Sequence, residues 1–221
     1  MSQPLKVFIG YDPRQPVAVQ VLTHSIYTRS SVPVSIQPLV LSTLPIRRRG
    51  LTEFTYSRYL IPWLMEFRGR GLFLDADMLM LGDVKELFDV ASDPFASVFL
   101  VKGKQKFEWP SLMLFNCDHF DCKKLTPKYI DDVSSKPQTF NWTEHVTELP
   151  GEWNHCVGYD DHNPQAKLIH YTAGIPCWPE TNACDYAQEW NKEAWKANSS
   201  VSFNELMGTS VHLKHAKGLK L

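Results

Sequence analysis

Two aspartates, Asp75 and Asp77, carry the most distinctive chemistry in the sequence. They directly follow the apolar run Gly71-Leu72-Phe73-Leu74, and a second apolar run, Met78-Leu79-Met80-Leu81, follows them. This pattern predicts two carboxylates at the end of a buried strand. Side chains spaced i, i+2 on extended chain point to the same side, and close like charges raise each other's pKa unless a cation joins them. Mg²⁺ and Mn²⁺ prefer oxygen ligands, so the pair is a candidate site for a divalent metal.

A plainer interpretation of the same two residues stays open. Acidic residues often end strands, and Asp-x-Asp after an apolar run also occurs by chance. The sequence has no G-x-G-x-x-G and no G-x-x-x-x-G-K segment, which excludes a dinucleotide fingerprint and a P-loop. If a nucleotide binds, its phosphates therefore need another positive partner, and a metal on Asp75 and Asp77 supplies one.

The elements around the aspartates predict an α/β fold. A capping box of Asp83 and Glu86 predicts a helix over 84–90 directly after the second apolar run. The segment 142–154 is too irregular to assign. Strands are predicted over 5–9, 32–40, 71–74, 78–81, 97–102, 111–115 and 166–170, and the further helices over 15–27, 52–60 with a break near Pro62, 126–133 and 181–198.

The composition is that of one folded domain. With 221 residues, 43% of them hydrophobic, the chain is long enough to bury a core, and we expect a single domain over 1–221 with residues 199–221 as a peripheral tail. That tail carries Lys214, Lys217 and Lys220, which suits either weak docking on an anionic membrane or acceptor, or a packed or frayed terminus.

The formal net charge of −1 argues against nucleic acid as the main partner. No apolar segment reaches the length of a membrane span, and we expect a soluble, cytoplasmic protein.

The five cysteines are an odd number with no Cys-x-x-Cys pair, which argues against a disulfide framework and a structural zinc site. The stretch Cys117-Asp118-His119-Phe120-Asp121-Cys122 contains metal-ligating residue types. Its spacing is unconventional and no second ligand cluster in the sequence matches it. The sequence therefore favours buried free thiols.

Several blocks occur in an order that resembles the glycosyltransferases of the GT-A fold. The resemblance is to family 8 in particular, the retaining group that includes glycogenin and bacterial lipopolysaccharide galactosyltransferases, and it runs from about residue 5 to residue 190. The ordered set is far more specific than any one of its members. The blocks are Gly10-Tyr11-Asp12, Tyr56-Ser57-Arg58-Tyr59, Phe73-Leu74-Asp75-Ala76-Asp77, Leu114-Phe115-Asn116, Leu149-Pro150-Gly151-Glu152-Trp153-Asn154, and the segment from His170 through Gly174 to Trp178.

The resemblance implies a fold, a reaction and a set of site residues. The fold is a single GT-A domain whose mixed, mostly parallel central sheet is flanked by helices and has a Rossmann-like nucleotide-binding half. The reaction is transfer of a hexose, with retention, from a nucleotide sugar such as a UDP-sugar to a sugar, glycan or other hydroxyl acceptor. The implied metal is Mn²⁺, with Mg²⁺ as the alternative. Its ligands are Asp75, Asp77 and His170; the donor contacts are Gly10, Tyr11, Asp12, Ser57, Arg58, Asp75, Ala76, Asn116 and Gly174; the substrate contacts are Trp153, Asn154 and Trp178.

The sequence departs from the family pattern at two places. The family's last block normally carries a lysine before its proline and tryptophan, and the matching stretch here reads Ile175-Pro176-Cys177-Trp178. The family's Asp-Gln pair near the reacting carbon is also not evident. Glu144 lies near where that pair would fall, so it is a candidate catalytic residue on the acceptor side. The other two candidate catalytic residues are Asp75 and Asp77.

Two other functions remain open at this stage. Haloacid-dehalogenase phosphatases also place Asp-x-Asp after an apolar strand and use the first Asp as nucleophile and the second as acid and base. They usually have Thr or Val two residues past the second Asp and carry the motif near the chain start, whereas this sequence has Leu79 and a motif beyond residue 70. The missing lysine also allows a catalytically weak protein that binds sugar nucleotides.

Overall fold

The computed structural model describes residues 3–102 and 110–198, which form nine strands and five α-helices. The strands are β1 (Leu5–Gly10), β2 (Val34–Leu39), β3 (Arg70–Leu74), β4 (Met78–Met80), β5 (Val98–Leu100), β6 (Leu112–Asn116), β7 (Val146–Glu148), β8 (His155–Cys156) and β9 (Leu168–His170). The helices are α1 (Pro16–Arg29), α2 (Ile61–Leu64), α3 (Val84–Val90), α4 (Pro127–Asp131) and α5 (Ala187–Asn198).

The main sheet has six strands in the order β2-β1-β3-β6-β5-β7. Strands β2, β1 and β3 are parallel, β6 is antiparallel to both β3 and β5, and β7 is parallel to β5. Ile9 of β1 lies opposite Leu74 of β3, so both strands end at one edge, which we call the carboxyl edge. The opposite edge, where β1 and β3 begin at Leu5 and Arg70, is the amino edge. The sheet is mixed and mostly parallel, as predicted.

A second sheet of three strands, in the order β4-β9-β8, begins where the acidic motif ends. Strand β4 is antiparallel to β9 and places Met78 opposite His170. Strand β8 is parallel to β9 and places Cys156 opposite His170. The motif Asp75-Ala76-Asp77 therefore joins the last residue of β3 in the main sheet to the first residue of β4 in the small one.

The hydrophobic core has two parts, one on each face of the main sheet. Successive side chains of a strand point to opposite faces. Accordingly, Val7 and Ile9 of β1 belong to one cluster, with Val21 and Ile26 of α1, and Phe8 belongs to the other. Each fully buried side chain of this size contributes about 1.5–3 kcal/mol. Burial on both faces stabilises the apolar runs as strands, and β1 and β3 end where those runs end.

A buried carboxylate connects α5 to α1. The Oε2 atom of Glu193 accepts a hydrogen bond of 2.8 Å from Arg29 Nη2, and its Oε1 atom contacts the Nδ1 atom of His24. Burial raises the pKa of Glu193, but the hydrogen bonds from Arg29 and His24 outweigh it and leave the pKa below its usual value. The carboxylate therefore stabilises the folded state as an anion.

Three predicted elements differ from the structure. The helix predicted over 52–60 is wrong, because residues 51–56 turn and only Ser57–Leu60 forms a 3₁₀ turn, which leads into α2. Pro62 lies in the first turn of α2, where its missing N–H costs nothing. Helix α5 begins six residues later than predicted, because residues 181–186 turn and Tyr186 has φ of 57°. The capping box is also incomplete, since Asp83 caps α3 through the N–H of Lys85 while Glu86 bonds to Lys167.

The irregular segment 142–154 holds β7 and the 3₁₀ turn Gly151–Trp153, and β8 was not predicted. The predicted tail and its lysines lie outside the described residues. All five cysteines lie within them and are free thiols, of which Cys117, Cys122 and Cys156 are buried as predicted and Cys177 is exposed. Within the described residues, no helix combines the length and apolar character that crossing a membrane requires.

Candidate active site

Asp75 and Asp77 lie at the carboxyl edge, in the turn between the two sheets. The backbone N–H of Asp75 donates a 2.9 Å hydrogen bond to the carbonyl of Ser111, which precedes β6. The carbonyl of Asp77 accepts a 2.9 Å hydrogen bond from the N–H of Tyr171, which follows β9. Ala76 between them is buried. Backbone contacts to both sheets therefore fix the turn.

His170 reaches the aspartates because β9 pairs with β4. Its Nε2 atom lies 3.6 Å from Oδ1 of Asp77, and the ligand atoms of Asp75, Asp77 and His170 all lie within 4.8 Å of one another. Neighbouring ligands of an octahedral ion with bonds near 2.1 Å are about 3 Å apart, so small rotations bring these atoms to one ion. Oδ1 of Asp75 and Oδ1 of Asp77 are both buried without a hydrogen-bond partner in the described part of the chain. The three residues therefore fit a divalent metal.

The electrostatics of the turn also favour a cation. Burial raises the pKa of Asp75 to about 8, Arg58 opposes this shift, and the nearby Asp77 adds to it. Burial lowers the pKa of His170, against the attraction of Asp77. Neutral imidazole is the form that binds a metal, and a cation beside Asp75 favours the charged form of its carboxyl group. A bound divalent ion therefore offsets the cost of burying the Asp75 carboxylate.

Arg58 supports Asp75 from the 3₁₀ turn Ser57–Leu60. Its Nη2 atom lies 3.0 Å from Oδ1 of Asp75, in an ion pair without hydrogen-bond geometry, and its Nη1 atom donates a 2.6 Å hydrogen bond to the carbonyl of Pro110. The guanidinium also lies over the rings of Phe54 and Phe73, and the residue is 3% exposed. Arg58 therefore orients Asp75, and little of its surface remains for the donor contact that the resemblance implies.

The loop after β1 lies beside the acidic turn. A Cβ atom on Gly10 would lie 2.4 Å from the ring of Phe54, so only glycine fits there. Oδ1 of Asp12 accepts 2.9 Å hydrogen bonds from both N and Nε of Arg14. These bonds lower the pKa of Asp12 and hold the exposed guanidinium of Arg14 at the carboxyl edge. The pairing of Ile9 with Leu74 places Gly10 beside Asp75 at the carboxyl edge, and the role of Gly10, Tyr11 and Asp12 around a donor stays a prediction.

Comparisons with known proteins agree with this architecture. No family model matches the chain. Protein CDI of Arabidopsis thaliana is 34% identical over a 231-residue alignment that covers 89% of this chain and 88% of that protein. The chain belongs to the Protein CDI family. 

Solved structures similar to this family member are glycosyltransferases of the GT-A fold. The bifunctional glycosyltransferase WbbM matches 89% of this chain with a TM-score of 0.65 and 16% identity. The glycosyltransferase GlyE of Streptococcus pneumoniae TIGR4 matches 86% with a TM-score of 0.63 and 16% identity. The galactosyltransferase LgtC, in complex with donor and acceptor sugar analogues, matches 90% with a TM-score of 0.59 and 14% identity.

The lengths of these structures differ from that of the present family member. The match covers 98% of the LgtC chain, but only 51% of the WbbM chain and 60% of the GlyE chain. At these identities the likeness establishes the fold. The predicted GT-A fold is confirmed.

Asn116 and Glu144 lie at the amino edge, which corrects two predictions. Asn116 pairs with Arg70, and its Nδ2 atom donates to the carbonyl of Ala96 at 3.2 Å. Glu144 precedes β7, whose Val146 pairs with Val98 near the end of β6. Because β6 is antiparallel to β3, its first residue faces the end of β3 and its last residue faces the start. Neither Asn116 nor Glu144 therefore lies at the edge that holds Asp75.

The two substrate contacts predicted in the segment 151–154, Trp153 and Asn154, lie in different environments. Oδ1 of Asn154 accepts a 3.2 Å hydrogen bond from the hydroxyl of Ser111, the residue whose carbonyl binds the N–H of Asp75. Trp153 is fully buried in the core, with Lys167 Nζ 5.2 Å from its ring centroid. The prediction that Trp153 contacts substrate is therefore wrong, because its side chain has no exposed surface.

The loop after β9 keeps its two predicted residues near each other. Gly174 has φ of 117°, a conformation that other residues rarely adopt, and its N–H donates to the carbonyl of Tyr171 at 2.8 Å. A Cβ atom there would lie 3.6 Å from Trp178, whose side chain is about half exposed.

Ser57, another predicted donor contact, is buried, and no hydrogen-bond partner for its hydroxyl occurs among residues 3–102 and 110–198.

Two site residues were missed at the level of sequence. Ser111 connects Asp75 to Asn154, as described above. Cys156 lies on β8 with its Sγ atom 3.9 Å from Nδ1 of His170 and 3.6 Å from the carbonyl of Asn154. Only the pairing of β8 with β9 reveals this neighbour, since the strand is two residues long.

Proposed function

We propose that the protein transfers a hexose from a nucleotide sugar, with a UDP-sugar as the expected donor, to a hydroxyl acceptor, with a divalent metal held by Asp75, Asp77 and His170. The observation that carries this proposal is the convergence of these three side chains at the edge where β1 and β3 end. In α/β sheets this edge is where nucleotides bind. The fold adds support, because similar solved structures are glycosyltransferases.

The proposed metal is Mn²⁺, with Mg²⁺ as the alternative, and assignment to the retaining family 8 rests on the resemblance described above. When bound, such an ion supplies a Lewis acid that stabilises negative charge on a diphosphate leaving group. Asp75 and Asp77 provide the oxygen ligands and the neutral imidazole of His170 provides the nitrogen ligand. Arg58 and the backbone of Ser111 hold Asp75 in place, so the site needs little reorganisation at the moment of reaction.

The proposed acceptor side of the site consists of Asn154 and Trp178. Asn154 is anchored to Ser111, and the half-exposed Trp178 offers a flat apolar surface of the kind that packs on a sugar ring. Retention requires either a covalent carboxylate adduct or attack on the same face, steered by the leaving phosphate. Both routes remain part of the proposal.

The exposed guanidinium of Arg14 is the proposed replacement for the missing family lysine. Arg14 lies in the loop after β1, and both its backbone N–H and its Nε donate hydrogen bonds to Asp12. A guanidinium matches the geometry of phosphate oxygens, so a fixed Arg14 at the carboxyl edge suits a diphosphate. 

Ligand-dependent stability tests the proposal directly. Thermal unfolding is measured with UDP- and GDP-sugars, each with and without Mn²⁺. A donor present at 100 times its Kd stabilises the fold by about 2.7 kcal/mol, so a true donor raises Tm clearly and only with the metal present. A shift by no donor under any metal condition would contradict the proposal.

Product analysis separates this proposal from its two alternatives. Slow Mn²⁺-dependent hydrolysis of the stabilising UDP-sugar identifies an active transferase site. Binding without hydrolysis or transfer identifies a sugar-nucleotide-binding protein. Turnover of a generic aryl phosphate, with no response to nucleotide sugars, identifies a phosphatase, which the GT-A fold does not favour.

A further inference from the structure

A second group of metal-ligating side chains lies at the amino edge of the main sheet. His119 is the N-cap of the 3₁₀ turn Phe120–Lys124 that follows β6, Asp121 lies within that turn, and His145 immediately precedes β7. Their ligand atoms all lie within 4.8 Å of one another. Strand β3 separates this edge from Asp75 by five residues, or roughly 16 Å at about 3.3 Å per residue. The group is therefore separate from the candidate active site.

The distances within this group suit a tetrahedral ion. Oδ2 of Asp121 lies 2.9 Å from Nδ1 of His145 and 3.9 Å from Nδ1 of His119. With metal–ligand bonds near 2.1 Å, neighbouring ligands of a tetrahedral ion are about 3.4 Å apart. The two measured distances lie on either side of this value, so small side-chain rotations make them equal.

The side chains around Asp121 fix its carboxylate. Lys124 Nζ donates to Oδ1 at 2.8 Å, and the hydroxyl of Thr143 donates to Oδ2 at 2.8 Å. Outer contacts of this kind orient carboxylate ligands in metal sites. The Nδ1 atom of His119 accepts a 3.2 Å hydrogen bond from the N–H of Asp121, and an ion at this position replaces that bond.

Proton balance and access also permit binding. In the hydrogen-bonded form, Nδ1 of His145 carries the proton that it donates to Asp121. Transfer of this proton to Nε2 of the same ring frees the Nδ1 lone pair without a net release of protons. The side chain of His145 is 43% exposed, which gives an ion and a water ligand a path from solvent.

We propose that His119, Asp121 and His145 bind a divalent metal of the Zn²⁺ class, with water as the fourth ligand. Two imidazoles and one carboxylate suit Zn²⁺ better than the hard ions Mg²⁺ and Mn²⁺. The sequence motif around Cys117 and Cys122 lacked a second ligand cluster, and the fold supplies it from His145. The ion connects the end of β6 to the start of β7, one of the two edge strands of the sheet. Cys117 and Cys122 are not ligands of the proposed ion.

The competing explanation is a closed hydrogen-bonded network in which Asp121 simply accepts from its neighbours. Zn²⁺ binding to the full chain distinguishes the two. Protein stripped with a chelator and carrying Asp77→Asn, which weakens the other site, is dialysed against micromolar Zn²⁺, and bound metal is measured. We expect one Zn²⁺ per chain, and a visible absorption spectrum of four-coordinate Co²⁺ when Co²⁺ replaces it.

His145→Ala is the decisive variant, and His162→Ala is its matched control. His162 is 60% exposed and also contacts an aspartate, Asp185, at 2.8 Å, but it is not part of this three-residue group. Loss of even an outer contact of a metal ligand weakens metal binding by 10–100-fold, so His145→Ala is expected to weaken Zn²⁺ binding by more than about tenfold. His162→Ala is expected to leave it unchanged.

Unfolding measurements keep the test valid if a variant is less stable. The parent protein in this comparison carries Asp77→Asn alone. Zn²⁺ is expected to raise the Tm of this parent and of the variant with His162→Ala added, but not of a folded variant with His145→Ala added. No bound Zn²⁺ in the parent, or equal Zn²⁺ binding by parent and His145→Ala, would overturn the proposal and leave the hydrogen-bonded network as the explanation.

Discussion

Replacement of Asp77 by asparagine tests the candidate metal site with the least disturbance of the fold. Asp75 is a poorer choice, because its removal leaves the buried guanidinium of Arg58 without its carboxyl partner and so destabilises the fold as well as the site. Among residues 3–102 and 110–198, His170 is the one ion-pair partner of the Asp77 carboxylate, and the bond from Tyr171 goes to the backbone carbonyl of Asp77. Asp77→Asn therefore removes one charge and keeps the shape of the turn.

The structure sets the expected size of the effect. Loss of one preorganised electrostatic group costs 10²–10³-fold in turnover, or about 2.7–4 kcal/mol. The side chain of Asp77 is 30% exposed, so solvent screens part of its charge, and we expect the lower end, about 10²-fold. The apparent affinity for Mn²⁺ falls as well, because one of the three ligands loses its charge.

The assay is sugar transfer, or hydrolysis of the UDP-sugar, measured across a Mn²⁺ titration. Asp89→Asn is the control, since it removes the same charge from an exposed pair with Lys85 on α3. It is expected to retain the activity of the unaltered protein. Near-normal transfer by Asp77→Asn at modest Mn²⁺ concentration would refute the assignment of Asp77 as a metal ligand.

Three further predictions follow from other contacts. Cys156→Ala removes the sulfur beside the imidazole of β9 and is expected to weaken Mn²⁺ binding about tenfold by electron paramagnetic resonance, with partial recovery in Cys156→Ser; equal affinities would contradict this role. Gly10→Ala forces a methyl group against the ring of Phe54 and is expected to cost about 1–3 kcal/mol in urea unfolding. Gly151→Ala is expected to cost much less, because no atom of the described residues lies within 4 Å of its Cβ position. The pKa of Glu193 is lowered in the folded state, so its contribution to stability is present above its ordinary value of 4.5 and is lost as pH falls through the folded pKa. Glu193→Gln is therefore expected to be less stable than the parent protein at pH 7, with the difference shrinking in unfolding experiments at pH 3, and a constant difference would contradict the assignment.

The strand ends at the carboxyl edge could be predicted from the sequence. Apolar runs that stop at Gly10 and at Asp75 define where β1 and β3 end, and parallel neighbours bring those ends together. His170 could be placed by its position after a third apolar run and by the resemblance. These predictions depend on local pattern and block order, which the linear sequence contains.

The errors have a different physical origin, because they concern direction and burial. Nothing local to Asn116 states that β6 runs antiparallel to β3, and this direction moves Asn116 and Glu144 to the opposite edge. An aromatic residue in an irregular segment suits a sugar contact or a core position equally well, and Trp153 occupies the core. The His119, Asp121 and His145 group escaped notice for a similar reason, since 24 residues separate Asp121 from His145 in the chain.

The position of the acidic turn between two sheets has a consequence for how the protein matures. Asp75 and Asp77 are synthesised well before His170, and they gain their third partner only when β9 pairs with β4. On the proposed metal assignment, a nascent chain carries an incomplete set of ligands until then and is expected to bind the ion weakly. Tight Mn²⁺ binding is therefore expected to mark chains whose small sheet has docked, so metal affinity during refolding reports the pairing of β9 with β4.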